Sequence, residues 1–185
     1  MTALIFLLVV ALGIYLLFYV FFPLGRGAIY EPSSREKTIH IAELADVKEG
    51  ERTADLGSGD GRVVIALAQC GAEAHGYEIN PLLVLRARAN IRKAGLSRRA
   101  FIHWGSFWRA DLSAYDLITV FQVGFIMGRL ENKLQRELRP GSRVVSHYWR
   151  FPTLQPEKMR GDVYRYRIVA AGRGAHTIPG RFEQK

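Results

Sequence analysis

The sequence predicts an α/β fold, a doubly wound and mostly parallel sheet, preceded by one transmembrane helix. Three observations lead there. From residue 52 onward short apolar runs alternate with amphipathic stretches, the order of a βαβ succession. The first of these runs closes on Asp55-Leu56-Gly57-Ser58-Gly59-Asp60-Gly61, a turn with glycine at every second position that opens a helix. Ahead of all this, residues 2–22 carry no charged side chain.

As a helix, residues 2–22 would rise ~31 Å, the thickness of a bilayer's hydrocarbon core. A cleavable signal peptide would want a basic start, an apolar stretch of about 7–15 residues and a small-residue cleavage site. This run is longer, has no Lys or Arg before it and ends in Phe21-Phe22-Pro23, so a retained anchor is expected. Arg26, Arg35 and Lys37 follow it. By the positive-inside rule the amino terminus lies outside and the main domain in the cytoplasm or its organellar equivalent.

Residues 23–50 read as a juxtamembrane connector followed by a short amphipathic helix at 38–47, and residues 51–185 as the main domain. Strands are expected at 52–56, 74–79, 100–104, 115–121, 142–149 and 163–170. The run Leu117-Ile118-Thr119-Val120-Phe121 is nearly all apolar, as in strands buried on both faces. Helices are expected at 61–70, 81–94 and 125–138. The second has Pro81 in its first turn and Gly95 just past its end. Between the fifth and sixth strands Pro152, Pro156 and Gly161 leave room for about one helical turn. A further strand after Gly174 would complete the sheet. Cys70, the only cysteine, excludes an intrachain disulfide and falls in an apolar helical pattern, as a small core residue would.

The net charge of +9 lies wholly after residue 25. Basic residues cluster between Arg86 and Arg99 and again between Arg165 and Lys185. Anionic lipid headgroups, each well-placed basic residue adding about 1 kcal/mol, nucleic acid, and a plain solvated surface all accommodate such clusters.

The glycine turn decides the chemistry. A dinucleotide fingerprint, G-x-G-x-x-G counted from Gly57, would need glycine at Arg62, and no P-loop Lys-Ser/Thr follows. Glu78 ends the second strand where a carboxylate accepts both ribose hydroxyls, and its burial there is costly without a partner. The cofactor that fits these details is S-adenosylmethionine. His75, His103 and His147 are too irregularly spaced for a metal motif, and no metal is implied.

The turn from Asp55 to Gly61 together with Glu78 resembles the first two motifs of class I S-adenosylmethionine-dependent methyltransferases, which have a Rossmann-like fold. Tyr30-x-Pro32-Ser33, Glu78-Ile79-Asn80-Pro81, Gly105-Ser106-Phe107-Trp108, Phe121-Gln122-Val123-Gly124, Lys133-Leu134-x-x-Glu137-Leu138 and Arg150-Phe151-Pro152 narrow the likeness. They resemble the small, single-span, membrane-anchored protein-lysine methyltransferases, which include the ATP synthase c-subunit and adenine nucleotide translocase enzymes.

The resemblance implies roles. Asp55, Gly57, Ser58, Gly59, Asp60 and Gly61 would hold the methionine end, and Glu78, with Asn80 beside it, the ribose. Ser106 and Phe107 would lie at the adenine. Phe121 and Gln122 would form the floor beside the sulfonium, and Tyr30 would close over the site, with Tyr30 and Gln122 positioning the reactants. The family usually has an acidic residue where Ser106 stands, so adenine affinity would rest on backbone and Phe107 stacking. The acceptor would be a lysine of a membrane or membrane-associated protein, its side chain entering a channel lined by Trp108, Phe121, Tyr148 and Trp149. The alternatives are a small or lipophilic acceptor and a membrane-tethered scaffold that binds the cofactor without catalysis. Nucleic acid is disfavoured, because Phe121-Gln122-Val123-Gly124 stands where an Asn/Asp-Pro-Pro-aromatic signature would be.

Overall fold

The computed structural model describes residues 2–16 and 35–169. The apolar start is helix α1, Thr2–Leu16, with the described side chains exposed all round. Among the described residues no helix is long and apolar enough to cross a membrane, and residues 17–22 of the expected span lie outside them. So do the connector with Tyr30 and Pro32, and the C-terminal residues from 170 with their expected strand.

The domain begins with helix α2 (Arg35–Ala45) and strand β1 (Arg52–Leu56). Helix α3 (Arg62–Gln69), strand β2 (Glu73–Glu78), helix α4 (Pro81–Lys93) and strand β3 (Ala100–Trp104) follow. A 3-10 turn at Phe107–Arg109 leads to strand β4 (Leu117–Val120), and a second at Gly124–Ile126 opens helix α5 (Met127–Glu137). Strands β5 (Arg143–His147), β6 (Lys158–Arg160) and β7 (Val163–Arg167) complete the described chain.

The sheet has the order β3-β2-β1-β4-β5-β7-β6. Strands β1 to β5 are parallel, and β7 runs antiparallel to both β5 and β6. The doubly wound, mostly parallel expectation therefore matches the sheet. The segment between β5 and β7 departs from it: a β-hairpin strand stands where one helical turn is expected, and all three of its residues are exposed. With no buried face, β6 has no apolar period to reveal it.

Both faces of the sheet are covered. On one, Val64 and Leu67 of α3, Val84 and Ile91 of α4 and Ile41 of α2 pack on Ala74, Ile102 and Leu117. On the other, Leu130 and Leu134 of α5 pack on Leu56, Ile118, Val144 and Tyr166. Local chemistry sets the element ends. The Asn80 side chain accepts from the Leu82 N–H ahead of Pro81, and Gly95, at φ 72°, follows the last turn of α4. Helix α5 starts at Met127, two residues later than the apolar pattern suggests, because Gly124–Ile126 take the tighter 3-10 turn. Cys70, expected in the core, is exposed at the C-terminal cap of α3.

Two buried arginines tie α2 to the strands. Arg143 donates to the Asp46 carbonyl (2.8 Å) and pairs with Glu51, and Arg165 donates to the Leu44 carbonyl (3.1 Å). The helix that precedes the sheet in sequence is thus fixed to it.

Candidate active site

The strand order reverses between β1 and β4, and in open α/β sheets the crevice beyond the carboxyl ends of such strands is where ligands bind. Leu56 and Val120 are the last paired residues there. The glycine turn leaves β1 on one side, and Phe121-Gln122 leaves β4 on the other. The Gln122 amide closes the crevice floor, its Nε2 donating to the Leu56 carbonyl at 2.8 Å.

Gly57, Gly59 and Gly61 have φ of 88°, 53° and 81°, values that L side chains rarely adopt. Two of the three are also crowded by the chain itself. A Cβ on Gly57 would overlap the Gln122 amide, and one on Gly61 would lie 3.0 Å from the Ala87 Cβ of α4. The bare backbone expected to face a ligand thus makes room, at these two positions, for Gln122 and α4. Gly76 on β2 has the same role: a Cβ there would lie 2.6 Å from Ser58 Oγ.

Glu78 is buried, and both of its oxygens are engaged by backbone donors. Gly59 N–H donates to Oε2 (2.9 Å) and Asn80 N–H to Oε1 (2.8 Å). Each carboxylate oxygen can accept more than one hydrogen bond, so the carboxylate is oriented by the turn and still able to receive hydroxyls. Asn80 spends its side-chain oxygen on capping α4. Opposite Glu78 on β3 stands Trp104, an exposed indole whose Nε1 donates to the Ile79 carbonyl at 3.1 Å. Sequence reasoning missed it. The signal available was a tryptophan closing a strand beside the carboxylate strand.

Asp55 is buried, and it accepts a 2.7 Å hydrogen bond from the Thr119 hydroxyl, which stands at the paired position on β4. Burial, opposed by Thr119 and reinforced by the Glu78 charge, pushes the Asp55 carboxyl up to about 7. In the ligand-free protein, the stability tied to this group is present below its ordinary value of 3.8 and lost as pH rises through about 7. A cationic ligand reverses that, because it favours the ionised carboxylate. S-adenosylmethionine affinity is therefore expected to rise about tenfold per pH unit up to about pH 7 and level off above it. Calorimetric titrations across pH 5–9 check this, and a flat profile would remove Asp55 from the site.

The other expected residues divide. Asp60 is buried and held by Arg62 through two contacts of 2.9 and 2.6 Å. Ser106 caps the 3-10 turn, its Oγ accepting from Trp108 N–H at 3.4 Å, and Phe107 is buried in the core against Trp108. Phe121 is half-buried, its ring 4.3 Å from that of His147. Of the aromatic residues expected at a channel, Tyr148 and Trp149 are exposed and Trp108 lies half-buried under Arg129. His75 and His103 stack and share a 2.8 Å hydrogen bond away from the glycine turn, His75 buried and His103 exposed on the edge strand β3.

The pocket residues fit S-adenosylmethionine on an observation of their own. Gln122 Oε1, on the amide that packs against Gly57, is a buried polar atom without a hydrogen-bond partner; Ser58 Oγ, within the turn, has none either but lies against Gly76 of β2. Such atoms are costly unless a ligand completes them. Gln122 Oε1 and the Asp55 and Glu78 carboxylates offer acceptors to ammonium and hydroxyl groups.

Comparison with known proteins agrees. The sequence matches the ANTKMT methyltransferase domain family over residues 55–158. It is 37% identical to the mouse (Mus musculus) adenine nucleotide translocase lysine N-methyltransferase over 155 residues, covering 81% of this chain and 67% of that protein. To the mouse ATP synthase c-subunit lysine N-methyltransferase it is 33% identical over 150 residues, 78% of this chain and 60% of that protein. The chain thus spans about two thirds or less of these relatives' length. A solved structure of an RNA methyltransferase from Salinibacter ruber with S-adenosyl-L-homocysteine superposes with a TM-score of 0.72 at 33% identity. It covers 83% of this chain and all of that one. The chain belongs to the ANTKMT methyltransferase domain family and is a class I methyltransferase whose cofactor is S-adenosylmethionine.

Proposed function

We propose that this enzyme methylates the side-chain amine of a lysine in a membrane protein while held at the membrane by its amino-terminal run. The observation that carries the acceptor class is the pair of lysine N-methyltransferase relatives, with a family match running from Asp55 past Trp149. The acceptor side of the crevice is consistent with it. Phe121, Tyr148 and Trp149 offer aromatic surface, which suits a cationic head on an alkyl chain.

S-adenosylmethionine supplies a methyl group on a cationic sulfonium. The chain's residues hold and orient. Asp55 and the glycine turn take the methionine end, Glu78 the ribose, and Gln122, fixed on Leu56, presents Oε1 as a hydrogen-bond acceptor at the floor. In-line placement at near-attack distance supplies most of the acceleration for such a transfer. A lysine must first lose a proton, against an ordinary pKa of ~10.4, and an apolar aromatic channel lowers that value.

The uncharged residues 2–22 and the basic residues that follow support a single span with the catalytic domain on the cytoplasmic or equivalent side. The apolar surface of α1 also supports contact with lipid, and the basic clusters suit anionic headgroups.

A second reading, RNA as acceptor, is favoured by the likeness to the Salinibacter ruber RNA methyltransferase and by the net charge of +9. One experiment separates the readings. The full chain, with methyl-labelled S-adenosylmethionine, is incubated with a membrane fraction and with total RNA. Label recovered as Nε-methyllysine after acid hydrolysis of membrane protein is the expected result. Label in RNA or in the solvent-extracted lipid would replace lysine by another acceptor.

A further inference from the structure

Tyr148 stands just past the end of β5 with φ 70°, a left-handed conformation that is rare for a bulky side chain. Trp149 N–H donates to the His147 carbonyl at 2.9 Å across it, closing a three-residue γ-turn of the strained sign. The turn is held from several sides. Tyr148 N–H donates to the Asp162 carbonyl (2.7 Å), and Ser146 Oγ donates to the Trp149 carbonyl (2.8 Å). The Asp162 side chain contacts His147 Nε2 (3.2 Å) and receives Lys37 Nζ of α2 (3.0 Å).

The Tyr148 ring itself does little for the fold. It is 58% exposed and approaches Trp149 edge-on at 5.2 Å. A purely structural turn would be better served by glycine. The turn does determine where two aromatic rings stand. Val120 pairs with Ser146, so Tyr148 emerges level with Gln122 at the acceptor side of the crevice. Trp149 lies over Gly124, where a Cβ would sit 2.8 Å from its ring.

We propose that Tyr148 is the specificity-determining residue of the acceptor site. Held by its γ-turn, its ring forms, with Trp149, the wall that receives an alkylammonium head and directs the amine toward the floor at Gln122. The inference rests on the lysine reading for its natural acceptor, but the wall can be tested without it. The probe is Nε-trimethyllysine amide, titrated into the full chain saturated with S-adenosylhomocysteine and followed by tryptophan fluorescence.

Wild type and Tyr148→Phe should bind the probe with similar affinity. Tyr148→Gly should weaken it about tenfold, the scale of a desolvated cation–aromatic contact. S-adenosylmethionine affinity should stay within about twofold, since Tyr148 lies on the acceptor side only. The melting temperature of Tyr148→Gly should equal or exceed that of wild type, because glycine relieves the strained φ; an aromatic with only a packing role would lower it. Equal probe binding by Tyr148→Gly, no saturable binding by the wild-type complex, or a melting temperature lowered by Tyr148→Gly overturns the proposal. Label found in RNA alongside a Tyr148-dependent probe site would sink the lysine reading and leave the wall standing.

Discussion

Glu78→Ala is expected to weaken S-adenosylmethionine binding by ~1.5–3 kcal/mol, the range for losing hydrogen bonds to a charged group. The carboxylate is buried, held by the N–H groups of Gly59 and Asn80, and stands at the carboxyl end of β2. Its loss removes the acceptor proposed for the ribose and leaves the Gly59 N–H, in the middle of the glycine turn, without its partner. Glu78→Gln keeps the shape but not the charge and should lie between wild type and alanine. Calorimetric titration measures all three, with NAD as a control expected not to bind wild type. An alanine variant with unchanged affinity would displace the ribose from this strand end.

Glu131→Ala should have the largest effect on stability, about 3 kcal/mol, because it strands buried donors rather than merely deleting a contact. Glu131 sits on α5 with 2% exposure. Its carboxylate accepts from Thr153 N–H at 3.1 Å, from the Thr153 hydroxyl at 2.9 Å and from Leu154 N–H. These bonds fix the segment after Phe151, whose ring packs on the buried Tyr166. In a domain of this size the loss corresponds to a fall in melting temperature of roughly 6–12 °C. Thermal denaturation followed by circular dichroism measures it. A shift within the error of wild type would mean that the 151–154 segment is held by its apolar contacts alone.

Much of this architecture is legible in the sequence, and the reasons differ from element to element. Strands β1 and β3 lie where their patterns put them, and the alternation of runs and helices was enough for the parallel half of the sheet. Pro81 and Gly95 bracket α4 because each serves a specific backbone need. Strand β6 is invisible in the sequence: Lys158, Met159 and Arg160 are all exposed and pair only with β7, so no side-chain period marks them.

At the site, the glycine spacing and the Glu78 carboxylate can be read locally. What fills the turn cannot. Gln122 on Gly57 and Ala87 on Gly61 are long-range approaches, visible only once β4 and α4 are in place. The same holds for the Thr119 hydroxyl on Asp55, which depends on the β1–β4 register. Tyr148 is legible as an aromatic at a strand end, but its left-handed turn is not, since nothing in the sequence at 146–149 calls for a positive φ in a tyrosine.

The most direct test is transfer itself. The full chain is mixed with detergent-solubilised membrane protein and S-adenosylmethionine. S-adenosylhomocysteine release is then compared with methyl-lysine content, read by peptide mass spectrometry. The account predicts equal amounts of the two products, with the methyl groups on lysine side chains and both signals lost in Glu78→Ala. S-adenosylmethionine binding without any S-adenosylhomocysteine, or S-adenosylhomocysteine formed with no methylated lysine, would contradict it.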